Sequence, residues 1–345
     1  MKYSRVFLDS FGYELPPVVV TSQELEARLE PVYQALHMPQ GQLEALTGIQ
    51  ERRWWEPGFS VSQGATLAGR KALEASNVRA EDLEVLIYAA VCREQFEPAT
   101  ACKVAAALGA SPGAVFDLSN ACLGVLNGIV EIANRIELGQ VRAGMVVSCE
   151  TAREINDVVI EDMLRSRNME TFKTSVATLT GGSGAVAVVV TDGSFDTNQR
   201  RRLLGGTTMA APQYHALCRW GIETVLSAAK QFMSTDSVSV LKYGVELGLR
   251  TWDGFLHRVG WANDMVDKII CHQVGGPHRD LILKTLGIAP AKEYSTYSFL
   301  GNMGTVSLPL TAALAEEREF LLPGDRVGFL GIGSGLNCLM LGVDW

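Results

Sequence analysis

The chain has 345 residues, 47% of them hydrophobic and 20% charged, with a formal net charge of -8. This ordinary globular composition excludes a disordered, collagen-like or disulfide-scaffold protein, and the net acidity excludes a broad nucleic-acid-binding face. A chain of this length suggests roughly two domains' worth of sequence and can bury a large core.

The opening residues, Met1-Lys2-Tyr3-Ser4-Arg5-Val6-Phe7-Leu8-Asp9, meet an acid before an apolar core of signal-peptide length develops. The longest apolar stretches, such as 185–190, fall far short of the ~20 residues needed to cross a bilayer. A cytoplasmic protein without a membrane span is therefore expected. The seven cysteines (92, 102, 122, 149, 218, 271 and 338) are odd in number, widely spaced and contain no C-x-x-C. They read as reduced thiols, with neither a zinc site nor a disulfide framework.

Val- and Ile-rich runs alternate with helical patterns along the chain, the signature of a layered α/β protein. Residues 83–91 read as a buried strand, 100–108 as a helix ending at Gly109, and 114–119 as a strand feeding an apolar helix that starts near Asn120-Ala121-Cys122. Residues 140–149 return as a strand, 151–180 form an amphipathic segment, and a glycine-rich turn at 181–184 leads into a strand over 185–190. Polar residues 191–204 form a connection, and 213–261 read as a long helical stretch carrying Trp220, Leu226, Phe232, Trp252 and Phe255.

The pattern then repeats. A strand at 267–272 is followed by a helix over 277–286, a strand at 294–299, a helix opened by Gly301-Asn302-Met303-Gly304, a strand at 324–330, and a Gly333-Ser334-Gly335 turn into a last strand. Matching points lie 286 − 108 = 178 and 302 − 122 = 180 residues apart, whereas the closing turns differ by 335 − 184 = 151. The shortfall of 180 − 151 = 29 equals an insertion in the first copy, and 151–180 has the right size. The expected organisation is thus two copies of one unit, 1–195 and 196–345, packed as one compact body with a site at their seam.

Cys122 stands where a buried strand ends and an apolar helix begins, so the helix dipole and unpaired N–H groups are expected to lower its pKa and supply thiolate. The alternative is a small buried hydrophobe, as the other six cysteines are read. His272 ends the matching strand of the second copy, and Asn302 opens the helix equivalent to the one after Cys122. Singly they read as a core histidine and a helix cap; a pseudo-twofold duplication brings all three to one point. The pair Arg52-Arg53 and the run Arg200-Arg201-Arg202 are candidate anion contacts or solvated faces. The 331–335 glycines precede a strand and lack G-x-G-x-x-G spacing, and neither Ser183 nor Ser334 has glycine on both sides at two residues, so dinucleotide and hydrolase-elbow readings fail.

Asp117-Leu118-Ser119-Asn120-Ala121-Cys122-Leu123-Gly124, His272-Gln273, Gly301-Asn302 with Ser307-Leu308-Pro309, and the terminal Gly331-Ile332-Gly333-Ser334-Gly335 together resemble the thiolase superfamily, in particular β-ketoacyl-acyl carrier protein synthase III and its relatives. Within it, 93–101 (Arg-Glu-Gln-Phe-Glu-Pro-Ala-Thr-Ala), the ending Gly331 through Cys338 and Ala216-Leu217-Cys218-Arg219 are similar to the OleA-type enzymes of olefin biosynthesis, which join two fatty acyl-CoA molecules head to head. The resemblance covers the whole chain. It implies a duplicated five-layered αβαβα thiolase fold, a homodimer and a Cys-His-Asn site at the end of a narrow tunnel, with no cofactor beyond the coenzyme A or carrier-protein thioester of the substrate.

By that resemblance Cys122 takes the acyl group, and His272 and Asn302 hydrogen-bond the enolate of a second thioester. The N–H groups of Cys122 and Gly335 form the oxyanion hole, each worth about 3 to 4 kcal/mol in the transition state. Two plain acyl-CoA molecules offer only a weakly acidic α C–H, so a base is required. Glu97, 122 − 97 = 25 residues before the cysteine, matches the glutamate that in the OleA branch enters from the partner subunit; otherwise it is a solvated turn residue. The expected reaction is a Claisen condensation giving a 2-alkyl-3-oxoalkanoate and CoA, passed on to possible downstream enzymes. The alternatives are a decarboxylating synthase III using malonyl carrier protein and a catalytically silent partner subunit. Two departures from synthase III concern the substrate. Residues 42–49 (Gln-Leu-Glu-Ala-Leu-Thr-Gly-Ile) lack the Trp and Arg that sandwich adenine, and His-Gln-Ala-Asn is replaced by His272-Gln273-Val274-Gly275.

Overall fold

The computed structural model describes residues 1–195, 200–225 and 228–345. Its strands are β1 (Phe7–Glu14), β2 (Val18–Thr21), β3 (Glu51–Trp54), β4 (Val85–Ala89), β5 (Ala114–Leu118), β6 (Ala143–Glu150), β7 (Gly184–Thr191), β8 (Arg202–Ala210), β9 (Cys218–Val225), β10 (Ala228–Thr235), β11 (Lys268–Cys271), β12 (Arg326–Gly333) and β13 (Asn337–Asp344). Nine of these form a continuous sheet in the order β11-β12-β13-β8-β1-β7-β6-β4-β5. In its middle β1 and β8 share one residue pair, Phe7 with Arg202, beside a separate bridge from Lys2 to Gly205, so it consists of a five-stranded and a four-stranded set.

The two sets share an order and a direction pattern. In the first, β4 runs parallel to β5 and β6, and β7 and β1 follow antiparallel. In the second, β11 runs parallel to β12, and β13 and β8 follow antiparallel. The counterpart of β5 is reduced to one parallel bridge between Ile269 and Glu293. The expected strand at 294–299 is therefore corrected. Gln273 Oε1 accepts the N–H groups of Thr296 and Tyr297, and these residues turn into a short helix, Tyr297–Leu300, in place of a ladder.

Between the two sets lie the helices Gly124–Glu137 and Ser307–Glu317. The first buries Val125, Ile129, Ile132 and Ile136 on one face and Leu126 and Ala133 beside it; the second buries nine successive residues, Ser307 to Ala315, as a helix enclosed on every side must. Both share one apolar cluster with strands of the two sets. Close approach is made possible by Gly128 and Gly144: a Cβ on the first would come 2.8 Å from Val146, and one on the second 2.9 Å from Ile132. Outside, Val61–Glu74 and Thr100–Leu108 cover the first set, and Ser237–Val259 and Gly276–Leu286 the second. The layers run helix, sheet, helix, sheet, helix, which is the expected αβαβα architecture.

The 151–180 segment forms two helices, Arg153–Ser166 and Met169–Ser175, and a 3-10 turn, Val176–Thr180. The long helix expected over 213–261 is corrected to a β9–β10 hairpin followed by the helix Ser237–Val259. Cys218, Trp220 and Ile222 repeat with the period of a strand rather than a helix, and Asp236 caps the helix that follows by accepting Ser239 N–H at 3.0 Å. Leu226 of that expected helix, like residues 196–199 of the expected connection, lies outside the described residues. Lys230 on β10 pairs with Asp162 at 2.6 Å, tying the hairpin to the 153–166 helix. Among the described residues no helix is long and apolar enough to cross a membrane.

Candidate active site

Cys122, His272 and Asn302 line one cavity of about 780 Å³. Its other walls come from the 151–180 segment (Ile155, Val176), the hairpin (Trp220, Met233) and the helix Ser237–Val259 (Leu241, Gly244), so the lining is chiefly apolar. The two strand sets deliver these side chains to the cavity: Cys122 follows β5, and His272 follows β11.

The local structure at Cys122 is more tightly bonded than the sequence suggests. The helix begins at Gly124 rather than at the cysteine. Ala121 adopts a left-handed φ of 46°, which directs the turn. The first helical N–H groups are taken: Gly124 N–H donates to Ala121 O at 3.2 Å and Val125 N–H to Thr305 Oγ1 at 2.7 Å. Burial, with Cys218 and Glu150 nearby, pushes the thiol up to about 12. This corrects the expected thiolate, because desolvation outweighs a helix end whose donors are already occupied. What exposure Cys122 has is onto the cavity that it lines.

His272 is buried, and burial with His278 beside it lowers its pKa to about 4. The imidazole is neutral at physiological pH, with Nδ1 unpaired in the protein, so it offers one donor and one acceptor. Asn302 is fixed at both ends: its N–H donates to Thr180 O at 2.9 Å, its C=O accepts Gly182 N–H at 2.9 Å, and its Oδ1 accepts Gly304 N–H at 3.0 Å. That last bond leaves the side-chain NH2 as the group free to donate. Gly333 packs against Cys122, a Cβ there falling 3.3 Å from the cysteine N. Gly335 stands between Ser334 and Leu336, which line the cavity, without lining it itself.

Glu97 is exposed and does not line this chain's cavity. Its loop, 93–98, is nevertheless held in place. Glu94 accepts from Ser60 and Ser62 and pairs with Lys103 at 2.8 Å, and Asp117 accepts the N–H groups of Thr100 and Ala101 at 2.9 Å each. Neither arginine run faces the cavity. Arg52 is buried, donating to Val20 O and Ser22 Oγ; Arg53 donates to Pro16 O; Arg201 pairs with Glu316 and Arg202 with Asp344. The Gly275 departure has a steric reason: its φ is +151°, and a Cβ would lie 2.8 Å from Thr47 O. The cavity wall also holds Glu150, Cys218 and His278, none of them assigned a role from the sequence. The signal for Glu150 is an acid closing the otherwise uncharged, fully buried β6.

A protein from Shewanella oneidensis described as "Acyl-CoA:acyl-CoA alkyltransferase" is 58% identical over all of both chains, and one of the same description from Xanthomonas campestris is 34% identical over all of both. The chain belongs to the OleA-type branch of the thiolase superfamily. Residues 256–345 match the family described as "3-Oxoacyl-[acyl-carrier-protein (ACP)] synthase III C terminal". The fold superimposes on the OleA of Xanthomonas campestris, solved as a Cys-to-Ser variant with bound lauric acid and lauroyl-CoA, with a TM-score of 0.93 at 34% identity, covering 99% of this chain and 100% of that one. It also matches a form of the same OleA with a glutamate replaced by glutamine, TM-score 0.94 at 34% identity, covering 100% and 98%. A synthase III from Natranaerobius thermophilus is more distant, 27% identical over 95% of this chain and 97% of its own. OleA-type enzymes are condensing acyltransferases of the thiolase type.

Proposed function

We propose that the chain condenses two fatty acyl-CoA molecules to a 2-alkyl-3-oxoalkanoate. The observation that carries this reading is the single, largely apolar cavity that Cys122, His272 and Asn302 share, in a chain 58% identical to an acyl-CoA:acyl-CoA alkyltransferase.

Cys122 Sγ attacks the carbonyl of the first thioester and CoA leaves as its thiol. A thiol near pKa 12 must lose its proton as it attacks, and the neutral imidazole of His272 is the acceptor in the cavity. Glu97 of a second copy removes an α-proton from the second acyl-CoA, while His272 and the Asn302 NH2 stabilise the enolate oxygen. The carbanion attacks the acyl-cysteine, a C–C bond forms, and the C–S bond breaks to free Cys122. Water then hydrolyses the remaining thioester, giving the β-keto acid and a second CoA. The oxyanions of these steps rest on the N–H groups of Cys122 and Gly335; the approach of Gly333 to the cysteine N supports that side of the hole. No cofactor beyond the thioester is required.

A homodimer follows from this reading. Glu97 is exposed in its own subunit, and Phe96 beside it is 90% exposed, an apolar side chain at the tip of an anchored loop, which supports a second copy covering it. The 1–195 and 196–345 halves act as one compact unit, a reading supported by the repeated strand order.

Incubation of the purified protein with lauroyl-CoA alone tests the function. Release of CoA with the corresponding 2-alkyl-3-oxo acid, read by mass spectrometry, is expected. Product only when malonyl carrier protein is added identifies a decarboxylating synthase instead.

A further inference from the structure

Glu150 ends β6 with only 4% of its surface exposed, yet it makes no ion pair at 4.0 Å or less among the described residues. Its two oxygens instead accept backbone amides, Val91 N–H at 2.9 Å and Cys92 N–H at 3.1 Å, and the nearby Thr305 N–H helps to stabilise its charge. The side chain packs on Gly304, where a Cβ would lie 3.4 Å from Glu150 Oε1.

The three amides belong to two segments with separate chemical duties. Val91 and Cys92 are the root of the loop that carries Glu97. Thr305 belongs to the turn that begins at Asn302, in which Gly304 N–H holds Asn302 Oδ1. Thr305 Oγ1 in turn accepts Val125 N–H, two residues into the helix that follows Cys122 and 180 residues away in sequence. One carboxylate therefore joins the end of β6, the Glu97 loop, the Asn302 turn and the Cys122 helix. Buried carboxylates are costly unless several donors satisfy them, and here all the donors come from those segments.

We propose that Glu150 is a positioning residue that sets Asn302 in its own active site and, through the same two oxygens, fixes the base of the loop that presents Glu97 to the partner. The proposal rests on the condensation reading above. It assigns Glu150 to the carbon–carbon bond-forming step, in which Asn302 and Glu97 act, rather than to acylation of Cys122.

Glu150→Gln has nearly the same volume but offers one acceptor oxygen and turns an NH2 toward the remaining amide donors. The test compares it with Glu150→Asp and wild type in three measurements: thermal unfolding, the rate of Cys122 acylation by lauroyl-CoA, and the kcat of condensation. The expected result for Glu150→Gln is a folded protein whose acylation rate stays within about threefold while condensation kcat falls at least tenfold with KM little changed. Glu150→Asp should recover part of that loss. Amide hydrogen exchange supplies a readout independent of turnover: the peptides containing Val91–Cys92 and Thr305 should exchange faster together in Glu150→Gln. Equal losses of acylation and condensation, unchanged condensation, or unchanged exchange at either segment each overturn the proposal. Failure of wild type to condense lauroyl-CoA overturns the functional reading instead, and in that case the exchange measurement still decides whether Glu150 joins the two segments.

Discussion

The backbone nitrogen of Cys122 lies 3.3 Å from where a Cβ on Gly333 would stand, with Leu123 Cγ equally near. The closing turn of one copy of the fold thus abuts Cys122 of the other, and the missing side chain of Gly333 leaves that N–H uncrowded. Gly333→Ala should fold, because its neighbours need shift only a few tenths of an ångström, but crowding this donor should slow Cys122 acylation about tenfold, equivalent to about 1.4 kcal/mol. Gly333→Val should acylate more slowly still. Pre-steady-state mass spectrometry of the acyl-enzyme checks both, and wild-type acylation rates would remove Gly333 from the site.

The high pKa of Cys122, caused chiefly by burial, makes the resting thiol a poor target. Iodoacetamide should modify exposed Cys102 before Cys122, because alkylation follows thiolate fraction and access. Lauroyl-CoA should nevertheless acylate Cys122 and no other cysteine, and Cys122→Ala should show no covalent acyl mass.

His272 gives stability a defined pH dependence. Its folded pKa of about 4 lies below the value of about 6.5 for an unfolded histidine. Between these values the unfolded chain binds the additional proton. The contribution is fully present above pH 6.5 and is lost as pH falls toward 4, by about 3 kcal/mol in all. Urea unfolding of wild type and His272→Asn across this range should show a shallower acid slope in the variant; parallel slopes would contradict a buried neutral imidazole.

Glu97 lies outside its own subunit's cavity, so its loss should be complementable. Glu97→Ala should acylate Cys122 but not condense, whereas Cys122→Ala should do neither. Heterodimers formed by co-expressing the two should regain condensation, since one site then combines an intact Cys122 with an intact Glu97 from its neighbour. No recovery in isolated heterodimers would place the base within a single chain or on another residue.

Much of this protein was legible in one dimension because its signals are local. Strand runs such as 143–150, the helix after Cys122 and the 180-residue repeat follow from periodicity, and the Cys122, His272 and Asn302 positions follow from matching strand ends. The hairpin at 218–235 was not, because aromatic and β-branched residues in a short amphipathic run satisfy helix and strand patterns alike until a partner strand is known. The strand expected at 294–299 was lost to Gln273, whose side chain takes the two amides that open the turn.

By itself the sequence determined the layered α/β class, the duplication and the residues that converge, since hydrophobic spacing and glycine turns act over a few residues. Tertiary structure alone decided their chemical state. Desolvation is a property of what surrounds a group, so it took the fold to raise the Cys122 thiol, neutralise His272 and bury Arg52. Hydrogen bonding between distant segments likewise took the fold to place Glu150 at the junction of two loops and to leave Glu97 facing outward.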